Sequence, residues 1–274
     1  MIMVNARLSP RSEGRYAKVR GITRLLFERL SALGAQNDND KGRFARIGVN
    51  PEIITAPGSI KFDVMGDAPQ SLRSDFQNIL DTLRGSRPTV LAASTHAGEE
   101  ALIATAIREA GAFPLIVPRH AERREQVVAD LKAAGFEPLL RTAGELPAGI
   151  PANACYVADT TGELRDWTAL ADAVVIGKSF LARGGQNPVE AIAARKPVII
   201  GPDMTNFADL VTLLKQEDAI LCCEAPQLAA TIGQALDGSE NTKARCERAY
   251  EALHVHSGAT RRSVELVDSF YKTA

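Results

Sequence analysis

The stretch Ala173-Val174-Val175-Ile176-Gly177, followed by Arg183-Gly184-Gly185-Gln186-Asn187-Pro188-Val189-Glu190 and then Ala191-Ile192-Ala193-Ala194, decides how this chain is read. Its first part is a continuous apolar run, as expected of a strand buried on both faces. Its last part is predicted to be helical. Between them a flexible glycine pair lets a ligand come close to backbone N–H groups. Asn187 suits the helix N-cap, Pro188 the first helical position and Glu190 the third. A carboxylate at that depth is placed to grip the two hydroxyls of a ribose, the layout of a nucleotide-sugar site at the carboxyl edge of a parallel sheet. The same letters also come close to a capping box, Asn-x-x-Glu, in which Glu190 only satisfies a backbone donor.

Outward from this stretch, short apolar runs alternate with segments of helical period. Strands are predicted at Val90–Ala93, Phe113–Val117, Pro138–Leu140, Cys155–Ala158, Ala173–Gly177, Pro197–Gly201 and Ala219–Cys222. Helices are predicted at Glu99–Ala110, at Glu122–Ala134 with Val127, Val128 and Leu131 on one face, and at Pro226–Leu236 with Leu228, Ile232, Ala235 and Leu236 as a stripe. Such alternation predicts an α/β fold with a doubly wound parallel sheet.

Residues 1–68 differ. They show a strand-like start at Ile2–Asn5, an amphipathic helix around Ile22, Leu25, Leu26, Leu30 and Leu33, and a second strand at Ile53–Ala56. So short a stretch buries too little surface for a complete α/β domain, and it reads as the end of one. Residues 69–260 are predicted to form the main domain. Residues 261–274 form a closing helix with Val264, Val267, Phe270 and Tyr271 on one face.

Composition narrows the function classes. The 274 residues carry a net charge of -1, with 45% hydrophobic and 24% charged residues. That balance offers no strong field for nucleic acid or an acidic membrane surface. No apolar run is long enough to span a bilayer, and the N-terminus is no signal peptide. The four cysteines, Cys155, Cys222, Cys223 and Cys246, form no CxxC pair and stand at no ligand spacing from a histidine. They read as small buried hydrophobes in a reducing, cytoplasmic compartment, and no metal site is expected.

If the sheet is parallel, ligands gather outside the carboxyl ends of its strands. The segments there are Ser94-Thr95-His96-Ala97-Gly98-Glu99-Glu100, Pro118-Arg119-His120-Ala121-Glu122-Arg123, Asp159-Thr160-Thr161-Gly162-Glu163-Leu164, Arg183–Glu190 and Pro202-Asp203-Met204-Thr205-Asn206-Phe207. Each has a plain structural use: Ser94 and Thr95 as caps, Glu99 and Glu100 on a helix dipole, Arg119 and Arg123 paired with Glu122, Thr160 or Thr161 with Glu163 as a cap. Five polar loops on one edge together point to a ligand site.

In order along the chain, Asn5–Ser9, Gly58–Asp63, Ala93–Glu100, Val117–Arg123, Asp159–Leu164, Arg183–Glu190 and Gly201–Phe207 resemble the motifs of the Kdo transferases. These enzymes add 3-deoxy-D-manno-octulosonic acid (Kdo) from CMP-Kdo to a lipid A precursor in lipopolysaccharide biosynthesis. The resemblance implies a GT-B glycosyltransferase with the donor nucleotide on the C-terminal domain and no cofactor. It implies CMP contacts from Pro118, Arg119, Thr161, Gly162, Glu163, Asn187, Pro188, Val189 and Glu190, with Glu190 on the ribose. Donor sugar contacts are implied for Ser94, Thr95, His96 and Gln186. Lys61 matches a family lysine that offsets charge on the leaving phosphate. A single phosphate demands no magnesium ion, and no metal is implied. The family pattern places its general base, membrane anchor and most of its acceptor surface ahead of the matched part. The chain is therefore expected to meet the cytoplasmic face of the inner membrane only through that missing part. Its activity alone is open. The alternatives are a non-catalytic CMP-sugar-binding module or a GT-B enzyme using another nucleotide sugar. The departures are Lys178 for a family Gly, Gln186 for His, Thr161 for Met and Asp203 for His. Asp203 is expected to weaken the binding of an anionic donor.

Overall fold

The computed structural model describes residues 1–60, 63, 73–255 and 257–271, so Lys61 lies outside the described residues. The chain divides into two compact units, one made of Met1–Ala68 with Leu253–Ala274 and the other of Pro69–Ala252.

The first unit opens with β1 (Ile2–Ala6), α1 (Pro10–Lys18), α2 (Arg20–Phe27), β2 (Ala32–Ala35), α3 (Asp38–Arg46) and β3 (Ile54–Thr55). The strands form a parallel sheet in the order β1-β2-β3. Its core gathers Ala6, Leu8, Leu33, Phe44, Ile47 and Ile54. The long amphipathic helix expected through Leu33 is corrected here. Helix α2 stops at Phe27, and Leu33 is a fully buried residue of the middle strand. Leucines spaced for one helical face straddle a helix, a turn and a strand. Leu25 and Leu26 are 66% and 60% exposed, so that face is not buried.

The second unit runs through α4 (Ser74–Arg84), β4 (Thr89–Thr95), α5 (Glu99–Glu109), β5 (Phe113–Pro118), α6 (Arg124–Ala133), β6 (Glu137–Leu140), β7 (Ala154–Val157), α7 (Leu164–Leu170), β8 (Ala173–Ile176), α8 (Val189–Ala193), β9 (Val198–Ile200), α9 (Ala208–Gln216), β10 (Leu221–Cys222), α10 (Leu228–Ala235) and α11 (Glu240–His254). Among the described residues the strands make a seven-stranded parallel sheet in the order β10-β9-β8-β4-β5-β7-β6. Successive side chains along a strand face opposite ways. Val90, Ala92, Ile116, Cys155, Val157 and Val175 meet Ile103 and Ile107 of α5, Val127 and Leu131 of α6, and Leu228 and Ile232 of α10. Tyr156, turned the other way, meets Trp167 of α7 at 5.5 Å between ring centroids, and Trp167 meets Phe76 of α4 at 4.3 Å. Helices therefore cover both faces, which is why the strands read as unbroken apolar runs.

Three sequence expectations change at the margins. The last helix, α12 (Ala259–Tyr271), begins before residue 261, and the main unit ends at Ala252 instead of 260. Asp63 explains why this tail belongs to the first unit. Its carboxylate accepts the N–H groups of Gly258 and Thr260 at 2.7 and 2.6 Å, bracketing the start of α12, and Arg262 donates to the Pro57 carbonyl. The helix buries Ala259 and Ser263, while Val264 and Tyr271 are exposed, so its inner face is not the apolar one expected. Of the cysteines, Cys155 and Cys246 are buried, but Cys222 is exposed.

Gly177 and Gly201 end two central strands where backbone crosses backbone. A Cβ on Gly201 would lie 2.1 Å from the Ser179 carbonyl oxygen, and one on Gly177 would lie 2.6 Å from that of Ser94. Gly201→Ala is expected to destabilise the protein by about 1–3 kcal/mol. Urea unfolding followed by Trp167 fluorescence checks this; an unshifted midpoint would refute the crowding.

Candidate functional site

The strand order parts between β4 and β8. After β4 the chain moves to β5 on one side; after β8 it moves to β9 on the other. At this topological switch point the two outgoing loops leave a crevice. Ser94 and Lys178, at the strand ends, both adopt positive φ, 55° and 58°. Gly98 at φ 84° then starts α5.

Glu99 joins the two loops. It is fully buried, and its Oε2 accepts the N–H groups of His96 at 3.0 Å and Lys178 at 2.5 Å. Its Oε1 accepts those of Phe180 at 3.0 Å and Leu181 at 3.3 Å. Beside it, buried Glu100 accepts the Thr95 hydroxyl at 3.0 Å and Arg123 Nη1 at 2.9 Å. Arg123 thus pairs with Glu100 and not with the expected Glu122. Thr95, a sugar contact by resemblance, is itself fully buried with its hydroxyl engaged. His96 lies half-buried, with Nδ1 shielded and without a hydrogen-bond partner among the described residues, and its ring meets that of His120 edge-on at 6.1 Å. Burial first, then the charge of Lys178, holds its imidazole below the usual histidine range.

The Arg183–Glu190 loop is sewn to the end of β8. Gln186 N–H donates to the Gly177 carbonyl at 3.1 Å and Gly185 N–H to that of Lys178 at 2.9 Å. The glycine pair serves packing: a Cβ on Gly185 would meet Met204 Sδ at 2.2 Å, and one on Gly184 would meet Asn206 Nδ2 at 2.4 Å. Asp203 accepts Gly184 N–H at 2.9 Å and the Thr205 hydroxyl at 3.0 Å. These bonds, the Gly184 one foremost, hold its carboxyl below the usual range. Its charge is therefore tied into the loop.

Helix α8 begins one residue later than expected. Pro188 occupies the cap, and Asn187 Oδ1 accepts Val189 N–H at 3.2 Å. Glu190 Oε2 is buried and has no hydrogen-bond partner among the described residues, so this oxygen closes no capping box. Burial pushes the Glu190 carboxyl above the usual range, with Arg165 pulling the other way.

The other two loops flank this centre. Pro118 is buried at the end of β5, while Arg119 is exposed and anchored by its N–H to the Thr95 carbonyl at 3.0 Å. Thr161 and Gly162 are exposed, Gly162 at φ 83°. Glu163 accepts the Thr160 hydroxyl at 2.5 Å and Arg141 Nε at 3.4 Å. Asp159, buried, holds Arg124 at 3.1 Å and Thr142 N–H at 2.9 Å. The bracing pairs Glu99 with its amides, Glu100–Arg123, Asp159–Arg124 and Glu163–Arg141 escaped the sequence reading. The paired glutamates at a helix start were a signal, but a helix dipole accounts for them equally well. Among the described residues no group of His, Cys, Asp or Glu is placed to hold a metal ion.

A family model described as 3-deoxy-D-manno-octulosonic-acid transferase (kdotransferase) matches residues 1–64. A 3-deoxy-D-manno-octulosonic acid transferase of Haemophilus influenzae is 31% identical over 278 residues, covering 98% of this chain and 64% of that protein. Among solved structures, the C-terminal CMP-Kdo binding domain of WaaA from Acinetobacter baumannii is 30% identical with a TM-score of 0.56, covering 62% of this chain and 90% of that one. The Anabaena protein HepE, solved with UDP and glucose, is 14% identical with a TM-score of 0.53, covering 98% of this chain and 71% of that one, a likeness of fold alone. The fold is therefore that of the α/β glycosyltransferases of GT-B type. Within them, this chain belongs to the Kdo transferase family. It spans about two-thirds of the Haemophilus relative's length, 64%.

Two outcomes test this geometry. Glu99→Gln places an NH2 where backbone donors converge; it is expected to cost about 2–3 kcal/mol and to speed hydrogen exchange at the 178, 180 and 181 amides. Exchange rates matching the parent protein would refute the clamp. For Glu190 the folded carboxyl titrates above the unfolded one, so the folded state binds the extra proton and stability falls as pH rises through the folded value. Glu190→Gln is therefore expected to be more stable than the parent at pH 7, with the advantage fading below the ordinary carboxylate range. A pH series of thermal melts in which the gap stays constant would contradict this.

Proposed function

We propose that this chain binds CMP-Kdo at the β4–β8 switch point and serves as the donor-binding part of a glycosyltransferase that passes Kdo to a lipid A precursor. The observation that carries the reading is the half-buried Glu190 carboxyl, with Oε2 unpartnered, behind the Asn187-Pro188-Val189 turn at the start of α8. A ribose diol supplies hydroxyl donors to such a carboxylate, and these bonds replace the solvation lost on burial. Pro118 and Arg119 on one side and the exposed Thr161-Gly162 turn on the other flank the place for base and phosphate. Ser94, Thr95, His96 and Gln186 are assigned to the sugar side, Thr95 through its loop, since its hydroxyl is engaged. Asp203 keeps its negative charge while Oδ1 accepts from Gly184 and Thr205, so its cost to an anionic donor stays part of this reading.

Four other carboxylates at this edge, Glu99, Glu100, Asp159 and Glu163, are committed to internal bonds, while Glu122 is exposed beside His120. A general base needs a free lone pair within reach of the acceptor proton. This supports assigning bracing, not proton abstraction, to those four. Lys61 is assigned to the departing phosphate, and the lipid acceptor at the inner-membrane surface completes the reaction.

Glu190→Ala is expected to weaken CMP binding roughly ten- to hundred-fold, the loss of a charged hydrogen bond. Titration calorimetry with CMP decides it; unchanged affinity would remove the site. A purified chain that binds CMP-Kdo yet transfers nothing to lipid acceptor would favour a binding module.

A further inference from the structure

Lys178 stands where its side chain costs the fold something. It sits between Gly177 and Ser179 at φ 58°, in the left-handed region. A lysine there is strained relative to glycine. The position is also held hard. Its N–H shares Glu99 Oε2 with the N–H of His96, and its carbonyl accepts Gly185 N–H. One oxygen thus sets the Lys178 and His96 backbones side by side, and the next bond, from Gln186 to Gly177, brings the residue 186 backbone to the same spot. Among the described residues, the ammonium of Lys178 enters no ion pair. The His96 Nδ1 beside it is shielded and without a partner.

A 3-deoxy-ulosonic acid carries its carboxylate on the anomeric carbon, one bond from the carbon that bears the phosphate oxygen. A CMP ester of such an acid therefore presents two anions a few ångströms apart. Most other charged groups at this edge are carboxylates already bonded internally, and Arg119 and Arg183 stand on the exposed rims of their loops. A neutral glutamine at residue 186 adds a donor but no charge.

We propose that Lys178, seated beside His96 by the shared Glu99 oxygen, is the residue that reads the carboxylate of the donor's sugar acid. The inference rests on the nucleotide site proposed above and gives this chain, where the family pattern has glycine, an added charge toward an ulosonic acid donor that a neutral sugar would not engage. Lys178 acts on the ground-state donor, through its ammonium, as a specificity determinant.

The test compares CMP with CMP-Kdo in calorimetric titrations of the full chain and its Lys178→Met, Lys178→Arg and Lys178→Gly variants. The parent is expected to prefer CMP-Kdo over CMP. Lys178→Met, which keeps the backbone demand and removes the charge, is expected to lower CMP-Kdo affinity roughly tenfold, as for one charged hydrogen bond, with CMP affinity unchanged. Lys178→Arg is expected to retain most of the preference. Lys178→Gly is expected to lose it while raising the melting temperature, which a purely structural lysine would not do. Equal losses for CMP and CMP-Kdo in Lys178→Met would assign the lysine to the phosphate and overturn the inference. So would an undiminished preference in Lys178→Met and Lys178→Gly. Failure of the parent to bind CMP at all would remove the underlying site and this inference with it.

Discussion

Four backbone N–H groups from two loops converge on the buried carboxylate of Glu99. Beyond the last ladder bond, from Gly177 N–H to the Ala93 carbonyl, this carboxylate ties the loop after β4 to the loop after β8. The desolvation of a carboxylate is tolerable there because both oxygens are hydrogen-bonded and the charge sits at the start of α5, where the helix dipole favours it. Its consequence is geometric. The loops that leave a parallel sheet in opposite directions would otherwise drift apart, and here they are held at a fixed separation around the crevice. Glu100–Arg123 and Asp159–Arg124 repeat the device further along the edge, and the Asp203 side chain repeats it between the β8 and β9 loops.

The division of labour among polar groups follows from this bracing. A buried polar atom is satisfied from within or awaits a partner from outside. Glu99, Glu100, Asp159 and Glu163 belong to the first class. The Oε2 of Glu190 and Nδ1 of His96 belong to the second. Both lie at the carboxyl edge. By contrast, a cavity of about 480 Å³, lined by Pro88, Asp172, Pro197 and Cys246, opens at the amino ends of β4, β8 and β9, and it lacks this convergence of braced loops.

Much of the second unit was legible in the sequence because its strands are covered on both sides. Full burial writes each as an apolar run with a polar loop after it, and the predicted runs at Val90, Phe113, Cys155 and Ala173 fall within a residue or so of the observed strands. The first unit was harder. Its middle strand, Ala-Leu-Gly-Ala, has no β-branched residue, and Leu30 and Leu33 continue the helical spacing of Leu26. Local pattern favours helix there, and only pairing with β1 and β3 overrides it. The tail was misjudged for the opposite reason. Val264 and Tyr271 look like an inner face, yet the contact that fixes α12 is polar and comes from Asp63, some two hundred residues earlier.

The sequence by itself determined the α/β class, the strand–helix alternation and the family, since these follow from periodicity and from short ordered motifs. It also marked the polar loops that gather at the carboxyl edge. Only the tertiary structure decided what each polar side chain in those loops does. Glu99 and Glu190 are both glutamates near a helix start, and no local pattern separates them. One is closed off by amides from a loop that begins seventy-nine residues away, at Lys178, and the other keeps an oxygen open. Hydrogen bonds between distant segments exist only once the sheet has brought those segments together.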